Sequence, residues 1–301
     1  MTPSTTMDLM VSNRLHCWLC GSDRLLLSKS SNLSQHLDSM AFQITDARYG
    51  VTGSIYRCGA CGFYQCSDLD DVLGFYETMN DERYENTRAC RALQARKLLK
   101  TVAPFLPNGR LLDIGAGSGI LVEEALSMGY AAEGVEPSHW LWQKAVERQL
   151  KVHHGVLPHE GIQPDFDIVC LVDVIEHVPD PIGLLREAGR VMSSQGIGVV
   201  VTPDVGSIAA RMLGSKWWHY RTAHIGYFNQ QTLTLALSKT GFVPIAVYRP
   251  SWYFPLDYLL QRLLGYLNIA VPAPVASLAR HITIPLNLRD SLLVVFRKGQ
   301  S

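Results

Sequence analysis

The chain has 301 residues, with 27 basic and 27 acidic side chains and therefore a formal net charge of zero. Hydrophobic residues make up 47% and charged residues 18%, a composition typical of a globular protein and not of a long disordered segment. Proteins that bind a phosphate backbone usually carry a basic excess, so we expect no nucleic acid partner and favour a small or neutral ligand.

The N-terminal sequence lacks the basic start and apolar run of a signal peptide. No uncharged apolar stretch reaches the length that spans a bilayer, so we expect no transmembrane segment and a cytoplasmic location. Seven cysteines are present, and four of them form two C-x-x-C pairs. This usage fits metal binding in a reducing compartment better than a disulfide framework.

Residues 1–70 predict a small zinc-ribbon module. The two cysteine pairs are Cys17 with Cys20 and Cys58 with Cys61. Four thiolates can close a tetrahedral shell around Zn²⁺, the usual geometry of a structural site. Gly21 and Gly62, one after each pair, fit the tight turn that such a pair needs. The alternative is four unrelated free cysteines.

Residues 71–108 follow as a linker and an N-terminal helix. The linker is polar and aromatic and carries Tyr76 and Tyr84. Apolar residues recur at helical spacing through Arg88–Leu106, with basic residues between them, which predicts an amphipathic helix with a solvated face.

Residues 109–301 alternate between strand-like and helical patterns. The predicted strands are Arg110–Ile114, Ala131–Val135, Lys151–Gly155, Phe166–Val172, Gly198–Thr202, Val243–Tyr248 and Ser291–Arg297, and the predicted helices are Gly119–Met128, Ser138–Leu150, Ile182–Met192 and Thr232–Thr240. Alternation of this kind predicts a doubly wound α/β fold, a parallel sheet with helices on both faces.

A glycine-rich turn follows the first of these strands. The run Asp113-Ile114-Gly115-Ala116-Gly117-Ser118-Gly119 leads directly into an apolar helix. Glycines let the backbone approach a ligand, and free N–H groups at a helix start can receive a polar group. Glu136 ends the next strand, where a carboxylate can accept hydrogen bonds from a ribose diol. A dinucleotide fingerprint requires glycine or alanine at position 120, which is Ile120 here.

The G-x-G-x-G spacing after Asp113 resembles motif I of the class I S-adenosylmethionine-dependent methyltransferases. The segment from Phe166 to Val178, with Asp173, Glu176 and His177, looks like the fourth strand and following loop of that family. The resemblance implies a seven-stranded Rossmann-like sheet with S-adenosylmethionine as the cofactor. It implies cofactor-binding roles for the residues Asp113, Gly115, Gly117, Gly119, Glu136 and Asp173. From the topology, Val156 or Leu157, after the third strand of the domain, would lie near the adenine.

Two histidines are candidate catalytic bases, because methylation of oxygen or carbon requires removal of a proton. His177 follows the fourth strand of the domain, and His224 belongs to a segment that resembles the H-x-x-Y-F motif bordering the acceptor pocket of small-molecule methyltransferases. Each could instead satisfy a backbone group or pack beside aromatic rings. No Asn/Asp-Pro-Pro-aromatic motif follows Asp173, which disfavours methylation of base amino groups.

The order of cysteine module, tyrosine-bearing linker and motif I resembles the zinc-containing sugar methyltransferases. The resemblance implies a structural zinc ribbon and a sugar-like or specialised-metabolite acceptor. The related C-methyltransferases carry a glutamate before the motif histidine, where this chain has Ala223, so methylation of oxygen stays open beside methylation of carbon. Alternative functions are a nicotinamide-dependent oxidoreductase and a non-catalytic zinc-ribbon protein that only binds the cofactor.

Residues 251–290 form an apolar insert before the last predicted strand. We expect it to act as a lid or wall of the acceptor pocket, which would suit a hydrophobic acceptor. A homodimer contact and a face that rests on lipid are the alternatives.

Overall fold

The computed structural model describes residues 15–33, 37–46, 48–69, 72–265 and 271–299. The start of the predicted zinc-ribbon module, its boundary at residues 70 and 71, and residues 266–270 of the predicted insert lie outside the described residues.

The elements alternate as the sequence predicts. The strands are β1 (Leu25–Lys29), β2 (Ile55–Cys58), β3 (Tyr64–Cys66), β4 (Arg110–Ile114), β5 (Ala131–Glu136), β6 (Val152–His154), β7 (Phe166–Val172), β8 (Met192–Pro203), β9 (Gly226–Tyr227), β10 (Phe242–Tyr248), β11 (Trp252–Pro255), β12 (Thr283–Leu286) and β13 (Ser291–Lys298). The helices are α1 (Leu73–Glu77), α2 (Glu82–Asn86), α3 (Arg88–Val102), α4 (Ile120–Ser127), α5 (His139–Glu147), α6 (Pro181–Val191), α7 (Ile208–Leu213), α8 (Gln230–Lys239), α9 (Leu256–Gly265) and α10 (Ala273–Ala279). Three short 3-10 helices, Ser39–Phe42, Ile175–His177 and Gly214–Lys216, complete the set.

Seven strands form the central sheet in the order β10-β13-β8-β7-β4-β5-β6. β8, β7, β4, β5 and β6 are mutually parallel, whereas β13 is antiparallel to both of its neighbours. The predicted doubly wound, seven-stranded Rossmann-like sheet is therefore confirmed, with one reversed strand. Because β4 and β7 are adjacent but continue to opposite sides of the sheet, their carboxyl ends form a topological switch point, where such sheets bind ligands.

The sheet is covered on both faces. Buried residues of α3 and α4 pack on one face, and those of α6 and α8 pack on the other. The side chains of β7 are mostly buried on both faces, as expected for a central parallel strand. Asp180 caps α6 by accepting a hydrogen bond from the Gly183 amide at 2.8 Å, and Pro181 begins the helix.

A second sheet joins the N-terminal segment to the large sheet's domain. Its strand order is β1-β2-β3-β9, so its fourth strand comes from the segment between β8 and α8, more than 150 residues after β3. Tyr64 pairs with Tyr227, and the Cys66 amide donates to the Ile225 carbonyl at 2.7 Å. Phe63 and Phe228 pack behind this junction with ring centroids 4.8 Å apart.

The insert contains a hairpin of β11 and β12 together with α9 and α10. The Trp252 indole N–H donates to the Ser291 hydroxyl at 3.2 Å, and the Cys90 sulfur lies 3.5 Å from the Thr283 hydroxyl. These contacts attach the hairpin to β13 and α3. Within the described ranges, no helix has the length and apolar character that crossing a bilayer requires.

Candidate active site

The glycine-rich turn between β4 and α4 has a backbone conformation and a close packing that exclude larger side chains. Gly115, Gly117 and Gly119 have φ values of +73°, +55° and +77°, all in the left-handed region. A Cβ atom on Gly117 would lie 2.7 Å from the hydroxyl oxygen of Tyr84, and one on Gly115 would lie 2.6 Å from a methyl carbon of Val174. The turn therefore needs glycine for its conformation and for its close neighbours.

Glu136 stands at the carboxyl end of β5 and faces this turn. One carboxylate oxygen accepts a hydrogen bond from the Gly117 amide at 2.8 Å, and the other accepts from the Ser138 amide at 2.8 Å. The side chain is 5% exposed, and burial raises its pKa to about 7 although both amide hydrogen bonds favour the ionised form. Each oxygen keeps a further lone pair for a ligand hydroxyl.

The other predicted cofactor residues lie at the same edge of the sheet. Asp113 is buried near the end of β4, and burial together with the charge of Glu136 raises its pKa well above the usual range. Asp173 directly follows β7 with φ +54°, and burial raises its pKa to about 7. Val156 follows β6 and is 44% exposed. The structure thus groups these residues at the carboxyl ends of parallel strands.

This edge fits an adenosine cofactor. A buried carboxylate with spare lone pairs lies against a glycine turn that lets a ligand reach the backbone, both beside the switch point. S-adenosylmethionine bound here would find ribose acceptors on Glu136 and backbone N–H groups at the start of α4.

A polar cluster lies beyond the turn, in the loop after β7. The Nδ1 atom of His177 lies 2.7 Å from the Ala223 carbonyl and 2.6 Å from the Tyr76 hydroxyl. The Tyr76 hydroxyl also donates to the Ala223 carbonyl at 3.1 Å. A carbonyl oxygen only accepts, so the ring of His177 carries its proton on Nδ1 and leaves Nε2 with a lone pair. Burial lowers the pKa of His177 to about 3, so its ring is neutral at pH 7.

His224 lies against His177 with ring centroids 4.8 Å apart and perpendicular ring planes. His219 stacks on the other side of His224, with ring centroids 5.6 Å apart, and its Nε2 lies 3.4 Å from a carboxylate oxygen of Asp290. The two histidines predicted as candidate bases are therefore neighbours in a row of aromatic rings, and His224 is only 6% exposed.

Glu176 completes the cluster and is 1% exposed. Its Oε2 accepts a hydrogen bond from the Thr202 hydroxyl at 2.9 Å, while its Oε1 faces Nε2 of His177 at 3.9 Å. Burial and the nearby charge of Asp173 raise the pKa of Glu176 well above the usual range. The cluster lies close to the cofactor edge, because Val174 of the same loop packs on Gly115. Burial raises the pKa of Tyr76, and the charges of Glu176 and Glu136 raise it further.

Sequence reasoning did not assign roles to several residues of this site. In the sequence, Tyr76 and Tyr84 are only tyrosines of a polar linker, and Glu176 is only one residue of the loop motif. Nothing in the sequence indicates that Tyr76 meets His177, 101 residues further along the chain. The aromatic character of the linker was the one available signal.

The four predicted zinc ligands also meet in the structure. The sulfurs of Cys17 and Cys61 are 3.5 Å apart, and those of Cys20 and Cys58 are 3.6 Å apart. All four sulfurs lie within 4.8 Å of one another. Gly21 and Gly62 have φ values of +75° and +80°, which confirms the tight turns expected after each pair.

Comparison with known proteins places the chain in a family. Residues 83–247, more than half of the chain, match the model of the family described as a methyltransferase domain. Two curated relatives, both named ubiquinone biosynthesis O-methyltransferase, come from Haemophilus ducreyi and a Caulobacter species. The first is 28% identical over 111 residues, 33% of this chain and 47% of the relative. The second is 33% identical over 119 residues, 36% of this chain and 47% of the relative.

The matched part of this chain thus spans about half the length of the curated relatives. Among solved structures, a complex of the Haloferax volcanii Trm112 methyltransferase activator with a methyltransferase matches with a TM-score of 0.52 and 15% identity. That match covers 73% of this chain and 94% of the other, and it shows the fold alone. The protein therefore carries a class I S-adenosylmethionine-dependent methyltransferase domain and belongs to the methyltransferase domain family.

Proposed function

We propose that this protein transfers the methyl group of S-adenosylmethionine to a hydroxyl group of a small molecule. The observation that carries the proposal is the partly buried cluster of Tyr76, Glu176, His177 and His224 beside the glycine-rich turn. Transfer from a sulfonium is a direct displacement, so the protein must align the acceptor oxygen with the methyl carbon and remove its proton. A buried polar cluster next to the cofactor edge suits both tasks.

The cofactor residues are part of this proposal. We assign Glu136 to the ribose hydroxyls and the glycine turn to close backbone contact. Asp173 would face the methionine end, and Val156 would lie near the adenine. The proposed cofactor set is Asp113, Gly115, Gly117, Gly119, Glu136, Val156 and Asp173.

On the acceptor side, His177 and His224 are the proposed groups that orient the hydroxyl and assist its deprotonation. His177 is neutral at pH 7, because burial lowers its pKa to about 3, and so it offers the lone pair of Nε2 to a ligand. Tyr76 positions this ring through its hydroxyl, 2.6 Å from Nδ1.

The class of acceptor rests on the relatives. Two curated proteins with related sequences are named O-methyltransferases, which supports a hydroxyl acceptor. A sugar-like or specialised-metabolite acceptor, and methylation of carbon, remain predictions from the resemblance to zinc-containing sugar methyltransferases. Phenols and sugars should therefore be tested side by side.

The test is a transfer assay with S-adenosylmethionine labelled in its methyl group, run against panels of phenolic and sugar hydroxyl compounds. We expect label in an O-methyl product, together with one S-adenosylhomocysteine per product. A matched pair of variants serves as control: Glu136→Gln removes the proposed ribose ligand, whereas Glu133→Gln changes a buried glutamate of the same strand. A folded protein that binds a nicotinamide cofactor and not S-adenosylmethionine would refute the proposal and favour the oxidoreductase alternative.

We further propose that the four-cysteine cluster binds one structural Zn²⁺ ion. Four sulfurs on a tetrahedron with Zn–S bonds of about 2.3 Å are about 3.8 Å apart, close to the separations of 3.5 and 3.6 Å here. Such an ion would stabilise the sheet that ends in β9, which begins two residues after His224. Zinc analysis of the purified protein should give at least one ion per chain, and loss of this zinc should accompany Cys58→Ser.

The division into a zinc-ribbon module (1–70), a linker with its helix (71–108) and a methyltransferase domain (109–301) is also a proposal. Within it, residues 251–290 are proposed as a lid or pocket wall, supported by their contacts with α3 and by the 3.2 Å approach of the Tyr49 and Tyr258 hydroxyls. A homodimer contact is the alternative role, and light scattering of the purified protein distinguishes the two.

A further inference from the structure

The described part of the chain brings together two groups of side chains that could hold a metal ion, and only one consists of cysteines. The other is Glu176, His177 and His224, whose ligand atoms lie within 4.8 Å of one another. Two imidazoles and one carboxylate form a ligand set that Zn²⁺ and neighbouring divalent metals use when they keep an open coordination position. Glu176 and His224 are buried, with 1% and 6% exposure, and the side chain of His177 between them is 17% exposed.

The ring of His177 is held in the state that a metal ligand needs. Its Nδ1–H donates to the Ala223 carbonyl at 2.7 Å, so Nε2 is unprotonated. Metal-binding histidines typically donate their second ring N–H to a carbonyl or carboxylate in this way. The free Nε2 points toward Glu176, with 3.9 Å between it and Oε1.

Glu176 is oriented in the same way. Its Oε2 is held by the Thr202 hydroxyl at 2.9 Å, while the buried Oε1 has no hydrogen-bond partner among the described residues. The buried Nδ1 of His224 also has no such partner. Native proteins rarely leave buried polar atoms unpaired, and these two atoms belong to one group of potential metal ligands, which points to a ligand between them.

A cation is the best candidate for the partner of these unpaired atoms. The lone pair of His177 Nε2 and the Oε1 atom of Glu176 are both electron-rich, and a separation of 3.9 Å is too long for them to share a proton in a hydrogen bond. The surrounding charges are the carboxyl of Asp173 and the guanidinium of Arg221. The guanidinium of Arg91 also lies near Asp173, so the two carboxyls and the two guanidinium groups balance, and the case for a cation rests on the unpaired atoms of Glu176 and His224.

We propose that Glu176, His177 and His224 bind a divalent transition-metal ion that holds the acceptor hydroxyl during methyl transfer. The ligands are Oε1 of Glu176, Nε2 of His177 and Nδ1 of His224. Zinc–nitrogen bonds of about 2.0–2.1 Å place tetrahedral ligands about 3.3 Å apart, so the 3.9 Å gap need close by little more than half an ångström. This site rests on the proposed function and revises one part of it: the two histidines assist deprotonation as ligands of the metal ion and not as free bases.

The chemistry balances without a further reactant. The acceptor hydroxyl takes the open position, where the positive charge lowers its pKa and its proton leaves to water. The acceptor oxygen then forms a bond to the methyl carbon while the bond from that carbon to sulfur breaks. The electron pair of the broken bond goes to the sulfonium sulfur, giving neutral S-adenosylhomocysteine.

The test counts the metal ions bound per chain. Protein dialysed against dilute Zn²⁺ is analysed for zinc per chain. In a separate sample that carries zinc only in the cysteine cluster, Mn²⁺ binding to the protein is followed by the electron paramagnetic resonance of free Mn²⁺. Manganese prefers oxygen and nitrogen ligands to thiolates, so it reports on the second site. We expect two zinc ions in the wild type and one in Glu176→Gln or His224→Ala, with Mn²⁺ affinity at least tenfold weaker in both variants.

The matched controls are Glu133→Gln and His153→Ala. These residues form another glutamate–histidine pair, with 3.1 Å between His153 Nε2 and Glu133 Oε2, at the edge strands of the large sheet. Both control variants should keep two zinc ions, and near-ultraviolet circular dichroism checks that every variant is folded. Equal metal content in wild type and Glu176→Gln would overturn the site.

Calorimetry with S-adenosylhomocysteine on the same samples separates the two proposals. A wild-type protein that binds S-adenosylhomocysteine but only one zinc ion, and no Mn²⁺, overturns the metal site and leaves the proposed function standing. A protein that binds the second metal ion but no S-adenosylhomocysteine contradicts the proposed function instead.

Discussion

Replacement of Glu136 by glutamine should weaken the binding of S-adenosylmethionine and S-adenosylhomocysteine. Both carboxylate oxygens already accept backbone hydrogen bonds at 2.8 Å, from Gly117 and Ser138. Glutamine has one acceptor oxygen, so its NH₂ group must face one of these N–H donors and cannot accept from a ribose hydroxyl. A hydrogen bond to a charged group contributes about 1.5–3 kcal/mol, which predicts an affinity loss of about 10- to 150-fold.

The same carboxyl should make binding depend on pH. Burial raises the pKa of Glu136 to about 7 in the cofactor-free protein. The ionised form accepts the ribose hydrogen bonds, so binding favours the carboxylate and lowers its pKa. Affinity is then fully present above pH 7 and falls by about tenfold for each pH unit below it, until the pKa of the complex is reached.

Isothermal titration calorimetry with S-adenosylhomocysteine between pH 5 and pH 8 measures both effects. Asp173, whose pKa burial also raises to about 7, could add its own slope, so the diagnostic quantity is the difference between proteins. In a plot of log affinity against pH, we expect a slope about one unit shallower for Glu136→Gln than for wild type. Glu133→Gln should keep the wild-type slope. Equal slopes and equal affinities in Glu136→Gln and wild type would refute the assignment of Glu136 as the ribose ligand.

Three further changes test other parts of the structure. Gly117→Ala should lower the free energy of unfolding by about 1–2 kcal/mol, because its φ of +55° disfavours alanine, and it should abolish cofactor binding. Thermal unfolding measures the first effect and calorimetry the second. The control Gly129→Ala, with φ +92° and open space for its Cβ, should lose stability but keep cofactor binding. Cys58→Ser or zinc chelation should lower Tm, because zinc at about 1,000 times its Kd adds about 4 kcal/mol to the free energy of unfolding. Cys90→Ser serves as the control, and an unchanged Tm after full loss of zinc would contradict a structural site. Tyr76→Phe should lower kcat about five- to tenfold, since a neutral hydrogen bond contributes about 1 kcal/mol, and should leave cofactor affinity unchanged; a selective loss of cofactor affinity would count against its place on the acceptor side.

The parts of the fold that local patterns encode could be predicted from the sequence. The apolar run of β7 and the strand–turn–helix pattern around Gly117 depend on neighbours a few residues apart, and the structure has them where they were expected. The carboxyl-end position of Glu136 followed from the same alternation. Helix ends shifted by a few residues: the predicted Arg88–Leu106 helix ends at Val102, where a turn containing Pro104 follows.

Features that depend on distant parts of the chain could not be predicted. The pairing of β3 with β9 places Tyr64 opposite Tyr227, and the local sequence of neither strand predicts which strand it pairs with. The carbonyl of Ala223 determines which ring nitrogen of His177 carries the proton, and the position of a backbone carbonyl cannot be predicted from a sequence motif. The unpaired oxygen of Glu176 likewise emerges only when Thr202 is seen to hold the other oxygen.

A crystal structure of the protein with S-adenosylhomocysteine tests the central claim most directly. We predict that both ribose hydroxyls bond to the Glu136 carboxylate and that the sulfur atom points toward the cluster of Glu176, His177 and His224. Electron density for the ligand at any other place, with Glu136 still bonded only to Gly117 and Ser138, would contradict the proposed cofactor site.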